Sequence, residues 1–235
     1  MIKHFEEIDS TSKYIKENVE QFSNLDIVSA DYQSLGKGRN DHVWSSKKGE
    51  NILLSTLIKE ENIISSYSKL SIYVGVTIYK FLLNYLPRKS IQLKWPNDVY
   101  VNDKKICGIL LEGKLPEYIV IGIGLNINQK EFGELQATSL SNEVDYQFKL
   151  EDVRKLFCLH LIKQLSDFEN NVDEYLKIFN QNNYLKNKQV TAGYVNENGE
   201  LINGIAQDIN EDGSLQILSD NKIIKIYYDE VKLIK

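Results

Sequence analysis

The sequence has 235 residues, 42% of them apolar, enough for one sizeable core and a small satellite domain, and with 3 prolines it is not a proline-rich or disordered chain. A formal net charge of −5 argues against a general nucleic-acid or anionic-membrane binder, because neutralising phosphate takes a basic face. Cys107 and Cys158 form no CxxC and His4, His42 and His160 lie far apart, so neither a disulfide framework nor a metal site made of protein groups alone is expected. No N-terminal stretch has the form of a signal peptide and no apolar window is long enough to span a bilayer, so a soluble, cytoplasmic protein is expected.

Ile8 to Val19, IDSTSKYIKENV, reads as a short strand running into a helix, with Asp9, Ser10 and Thr11 as N-cap candidates. Asn24 to Gln33 reads as a strand, followed by LGKGRNDHVWSSKKGEN, a loop rich in Gly and charge, and then by a strand from Ile52 to Ile58. Leu70, Val74, Ile78 and Phe81/Leu82 have helical spacing and predict a helix over Tyr67 to Leu86, stopped by Pro87. Strand-like runs follow at Ile91 to Trp95, Asp98 to Val101 and Ile106 to Glu112, with Asn102-Asp103-Lys104 as a turn. Glu117 to Asn128, EYIVIGIGLNIN, is a β-branched strand ending in Gly and Asn. Glu151 to Phe179 has one apolar face and predicts a helix bent or broken near Asn170 and Asn171. From Gln189 to Lys235, short strands separated by Asn198-Gly199, Asp212-Gly213 and Asp220-Asn221 have the spacing of a small barrel. A boundary near Tyr184 gives an α+β main domain over residues 1–183 and an all-β cap over 184–235.

Four constellations carry the chemistry. In Gly36-Lys37-Gly38-Arg39 the glycines permit close backbone approach and the cations suit phosphate or carboxylate, although alone this reads more readily as a solvated loop. Lys94-Trp95-Pro96-Asn97-Asp98 breaks a strand and aims an amide and a carboxylate out of its end, or is an ordinary Asx turn. In Lys104-Lys105-Ile106-Cys107-Gly108-Ile109-Leu110 a Lys opens an apolar strand before a Gly; such a Lys is more often a solvated edge residue. In Gly122-Ile123-Gly124-Leu125-Asn126-Ile127-Asn128 alternating Gly marks a bulge, tight packing or room for a ring.

The order of DST, YQSLGKGR…W, KWPNDVYV, KKICGILLEG and IGIGLNIN along the chain resembles the biotin protein ligase family over nearly its whole length, and KWPND followed by K-x-x-G-I-L is its most specific part. The resemblance implies a mixed or antiparallel sheet packed with helices, a C-terminal SH3-like β-barrel, and ATP-dependent formation of biotinyl-5′-AMP. Transfer to a lysine of a biotin carboxyl carrier domain follows, with magnesium entering alongside ATP. Carried over by residue, it implies that Ser10, Thr11 and Gln33 contact the ureido end of biotin, where the helix N-terminus offers N–H donors. Gly36, Lys37, Gly38 and Arg39 close over biotin and the phosphates, and Trp44 packs on the adenine side. Lys105 reaches the carboxylate and α-phosphate to offset developing charge. Gly108 and Gly124 leave space for the biotin rings and tail, while Asn97, Asp98 and Asn126 sit near the adenylate. Lys105, Arg39 and Asp98 are the catalytic candidates, Asp98 orienting the acceptor lysine.

Two positions depart from the family pattern: Lys37, where Arg is usual, keeps charge without a bidentate fork, and His42 stands where a basic residue is common, and both bear on the loop's affinity for phosphate. Cys107 reads as a packed small side chain and His160 as a core or edge histidine. A lipoate or octanoyl transferase shares the architecture but would lack KWPND. A biotin-sensing repressor would need a helix-turn-helix before the DST segment, which here begins at Asp9; the resemblance is therefore to the monofunctional type, with no nucleic-acid partner. Loss of the loop's phosphate affinity would leave a biotin binder without turnover. An exposed sheet edge could receive the acceptor or a second subunit, and a homodimer is possible.

Overall fold

The computed structural model describes residues 1–39, 42–195, 201–227 and 231–234. The main sheet comprises β1 (Ile2–Phe5), β2 (Ile27–Ala30), β3 (Asn51–Ile58), β4 (Ile91–Lys94), β5 (Asp98–Val101), β6 (Lys104–Lys114) and β7 (Tyr118–Asn126). Its seven strands run in the order β1-β2-β3-β7-β6-β5-β4. β1 pairs parallel with β2 and every other neighbour is antiparallel, so the sheet is mixed. β4 to β7 form a meander, and Asn102 and Asp103, at φ 49° and 64°, make the tight turn between β5 and β6.

Both faces of the central strands are covered, which is why β3, NILLSTLI, is buried along its whole length. On one face α1 (Thr11–Glu17) packs against β2, β3 and β7, with Ile15 and Phe22 meeting Val28, Leu57 and Val120. On the other lie α3 (Tyr67–Leu82), α5 (Leu150–Ser166) and α6 (Phe168–Gln181), over a core that includes Ile58, Leu93, Ile121 and Ile123. The short α2 (Glu61–Ser65) and α4 (Leu140–Val144) complete the helices of the main body.

Three boundaries differ from the sequence reading. The first strand lies at Ile2–Phe5 rather than directly before α1, and Ile8 keeps only an isolated bridge to Gln33. The predicted long helix ends at Leu82. The predicted break near Asn170 and Asn171 falls at Asp167, whose N–H still reaches the Lys163 and Gln164 carbonyls while Asn171 Nδ2 donates to its carbonyl at 3.0 Å. Packing sets the bend: Tyr73 of α3 stacks on Tyr175 at 4.2 Å and lies against Phe168 at 4.7 Å, which directs α6 back over α3.

The last fifty residues carry β8 (Gln189–Val195), β9 (Leu201–Ile209), β10 (Leu215–Ser219), β11 (Lys222–Ile226) and β12 (Val231–Leu233). They form an antiparallel sheet in the order β11-β10-β9-β8-β12. Among the described residues no pairing joins β11 to β12, so the expected barrel is an open sheet. The Asp212-Gly213 and Asp220-Asn221 turns have the positive φ their residue types suit, and Asn198-Gly199 lies outside the described residues. Residues 182–184, which link α6 to this sheet, run along β4: Leu93 donates to the Asn182 carbonyl and Tyr184 donates to Leu93. The β4 edge is therefore occupied by the chain itself, which leaves β1 as the other edge of the main sheet.

Candidate active site

Period-2 alternation in β7 builds the floor of a cavity on the α1 side. Ile121 and Ile123 point into the core, while Gly122 and Gly124 face the other way, Gly124 opposite Gly108 of β6 and Gly122 opposite Ser55 of β3. The space the glycines leave is filled by the Trp44 indole. A Cβ on Gly124 would stand 2.4 Å from that ring and one on Gly108 2.8 Å from it. The cavity, about 530 Å³ with its mouth, brings together Ser10, Thr11, Gln33, Lys37, Gly38, Arg39, Trp44, Asn97, Lys105, Gly108 and Gly124.

One end of this cavity is polar. Ser10 caps α1 by accepting the Lys13 N–H at 3.3 Å. The Thr11 N–H and hydroxyl both donate to Gln33 Oε1, at 2.7 and 2.9 Å, so this helix-start amide is already engaged rather than free. The hydroxyls of Thr11 and Ser12 each lie 2.8 Å from Ser55 Oγ. Ser12 and Ser55 were missed by the sequence reading; the available signal was a Ser at the centre of a strand otherwise apolar enough to be buried. Glu112 also lines the cavity, paired with Lys16 at 2.7 Å.

The glycine-rich segment folds over the cavity as a hairpin. Trp44 donates to the Gly36 carbonyl at 3.0 Å, Gly38 donates to His42, and Lys37 bridges Val43. Gly36 does not line the cavity. It is buried, and a Cβ there would approach the Trp44 carbonyl to 2.9 Å, so the turn back to Trp44 depends on glycine. Lys37, His42 and Val43 are exposed.

At the other end Lys105 Nζ stands 2.6 Å from Asp98 Oδ1, a charge pair without the alignment of a hydrogen bond, and 5.5 Å from the Trp44 ring centre. A bulge makes this pair. Val99 pairs with Cys107 and Tyr100 with Lys105, so Ile106 is the extra residue on β6. In a regular ladder Lys105 would face away from Gly108. The bulge shifts the phase and brings it to the side of Asp98, which pairs with Gly108. Asp98 lines an adjoining cleft with Lys94, Trp95, Pro96, Asn97 and Lys105 rather than the main cavity. Asn97 braces the junction: its Nδ2 donates to the Ile109 carbonyl at 2.7 Å and its carbonyl accepts the Ile109 N–H at 2.9 Å.

Asn126 does not line the cavity. It is buried at the end of β7 and donates to Thr138, and its Oδ1 has no hydrogen-bond partner. Cys107 is fully buried, and burial pushes its thiol well above the ordinary range. His160 on α5 lies 3.0 Å from the Thr77 carbonyl of α3 and takes no part in the cavity. Among the described residues no three His, Cys, Asp or Glu side chains are grouped to hold a metal ion.

Residues 4–126, which hold this floor, the hairpin and the charge pair, match the biotin/lipoate A/B protein ligase family. The chain belongs to that family. Residues 187–232 match the biotin protein ligase C-terminal domain. The bifunctional ligase/repressor BirA of Escherichia coli is 34% identical over 131 residues, which cover 54% of this chain and 40% of that protein. A biotin–[acetyl-CoA-carboxylase] ligase of Mycobacterium tuberculosis is 32% identical over 118 residues, 48% of this chain and 44% of that one. The chain thus spans less than half the length of either relative. The structure of the biotin protein ligase of Aquifex aeolicus in complex with biotin and ATP superimposes with a TM-score of 0.86 at 26% identity, covering 100% of this chain and 98% of that one.

Proposed function

We propose that this protein activates biotin with MgATP as biotinyl-5′-AMP and transfers the biotinyl group to a lysine of a biotin carboxyl carrier domain. The observation that carries this reading is the polar wall of Thr11, Ser12, Ser55 and Gln33 at the closed end of a glycine-floored trough. A ureido ring presents both donors and an acceptor to such a wall. An octanoyl or lipoyl chain offers this wall no hydrogen-bonding group, so whatever donor and acceptor capacity remains beyond its mutual bonds would be buried unused.

In this reading Gly108 and Gly124 seat the biotin rings and tail once the Trp44 indole has moved off the floor to the adenine side. The carboxylate then lies beside Lys105 and Arg39. The biotin carboxylate is itself the nucleophile and attacks the α-phosphate, so no enzyme nucleophile is needed. Lys105 offsets charge on the α-phosphate as pyrophosphate leaves, Arg39 holds the carboxylate–phosphate junction, and Lys37 and Gly38 face the phosphates. Asn97 meets the nucleotide. Magnesium is carried by the ATP phosphates, which need no dedicated protein cage. Asp98 then orients the acceptor lysine, whose amine attacks the acyl-adenylate and releases AMP. The Gly36–Gly49 segment excludes water from that intermediate; equal protease cleavage of it with and without biotinyl-AMP would argue against this role. Residues 1–183 and 184–235 act as catalytic and cap domains. A homodimer through the β1 edge is compatible with this reading.

The test is incubation with biotin and MgATP without acceptor, followed by mass spectrometry for biotinyl-AMP and pyrophosphate. Adenylate formed by the wild type supports the reading. Activation of octanoate or lipoate instead of biotin would reassign the cavity, and biotin binding without adenylate would make the protein a binder.

A further inference from the structure

The KWPND segment lies at the end of β4, the outermost strand of the main sheet, and its outer side is supported by the C-terminal part of the chain. The Trp95 side chain is 2% exposed, and its indole N–H donates to the Gly213 carbonyl at 3.1 Å across 118 positions of sequence. Gly213 is wedged there. Its φ is 83°, and a Cβ would lie 2.5 Å from the Ser68 carbonyl at the start of α3, so only glycine fits. The turn is held from its own side by Asp212, whose Oδ1 accepts the Ser214 N–H at 3.0 Å and whose other oxygen pairs with Lys225 at 3.1 Å. Two further ties hold the segment after α6, one to the same hairpin and one to β5. Asn183, bridged to Leu93, donates to the Gln207 carbonyl of β9 at 3.1 Å. Tyr184 stacks on Tyr100 of β5 at 4.7 Å.

We infer that the C-terminal sheet is a positioning element for the Asp98–Lys105 pair, acting through the hydrogen bond from the Trp95 indole to the Gly213 carbonyl. Trp95 is three residues before Asp98, and Pro96 and the doubly bonded Asn97 leave little freedom between them. A shift at Trp95 is therefore transmitted to the carboxylate that faces Lys105. The biotin-side wall of Thr11, Ser12, Ser55 and Gln33 lies on other elements and has no part in this tie. Asp98 faces Lys105, which serves the adenylation step, so Trp95 is accordingly a positioning residue for that step, an assignment that rests on the function proposed above.

The experiment is Trp95→Phe, which keeps a ring and removes the donor, in the full chain. Adenylation kcat should fall by about 10-fold with KM for biotin changed less than about twofold, as expected of misplacement without loss of substrate contacts. In an Asp98→Asn background the same substitution should add little, because its effect passes through Asp98. Amide exchange should rise at Ile109, whose N–H is held by Asn97, while β3 and β7 stay protected. An unchanged kcat, a loss carried by KM for biotin, or a full second loss in the Asp98→Asn background would each overturn the inference. If Trp95→Phe fails to fold, Asn183→Ala, which cuts the tie to Gln207, must show the same split. Should the wild type form no biotinyl-AMP, the function fails, and the exchange arm alone decides the inference: unchanged exchange at Ile109 would overturn it.

Discussion

The two faces of β7 are built from alternate residues of one nine-residue strand, and they do different work. Ile119, Ile121 and Ile123 belong to the buried apolar core under the helices. Gly122 and Gly124 face the other way and contribute no side chain, so a trough opens on the sheet itself. Stability and ligand space are thus separated by a single residue step. A substitution on one face should be felt mainly in folding, and one on the other mainly in binding.

The largest effect expected is on the chemistry. Lys105→Ala should cut biotinyl-AMP formation by a hundredfold or more, on the order of the loss when one preorganised charge stabiliser is removed, with a small change in melting temperature. Adenylate formation at the wild-type rate would remove Lys105 from the reaction. On the core face, Ile121→Ala should destabilise by about 2–5 kcal/mol in denaturant unfolding while leaving KM for biotin near its wild-type value. On the trough face, Gly124→Ala should do the reverse: a raised KM for biotin and altered tryptophan emission, because the new methyl meets the Trp44 ring, with little loss of stability. Equal effects of the two variants on both measurements would break the division between the faces.

Smaller effects sharpen it. Ser55→Ala removes the hydroxyl shared by Thr11 and Ser12 and should cost about 1 kcal/mol in stability with a severalfold rise in KM for biotin. On the helix side, burial against α3 lowers the pKa of His160 below its ordinary 6.5. The folded protein prefers the neutral ring, so this group's stabilisation is present above pH 6.5 and is lost as pH falls through the lowered value. Melting temperature should decline over that acid range, and His160→Gln should flatten the decline without altering adenylation at pH 7.5.

The sequence by itself was enough for the elements whose pattern is local. The helical spacing from Leu70 to Leu82, the Ile-Gly alternation of β7 and the turn chemistry of Asn102-Asp103 and Asp220-Asn221 each express a backbone preference within a few residues. The motif order also pointed to Ser10, Thr11, Gln33, Lys105 and the glycines that the fold brings to one cavity. Tertiary structure decided what depends on partners distant in sequence. Ser12 and Ser55 form one hydroxyl cluster only because α1 lies across β3. Asn126, expected near the adenylate, is turned to Thr138 by a segment that follows β7. Lys105 faces Asp98 because a single extra residue, Ile106, reverses the phase of β6, and one-residue register leaves no trace in composition or periodicity. The C-terminal strands were legible as strands, but their reach to Trp95 through Gly213 required two segments 118 residues apart to meet, and only packing brings them together.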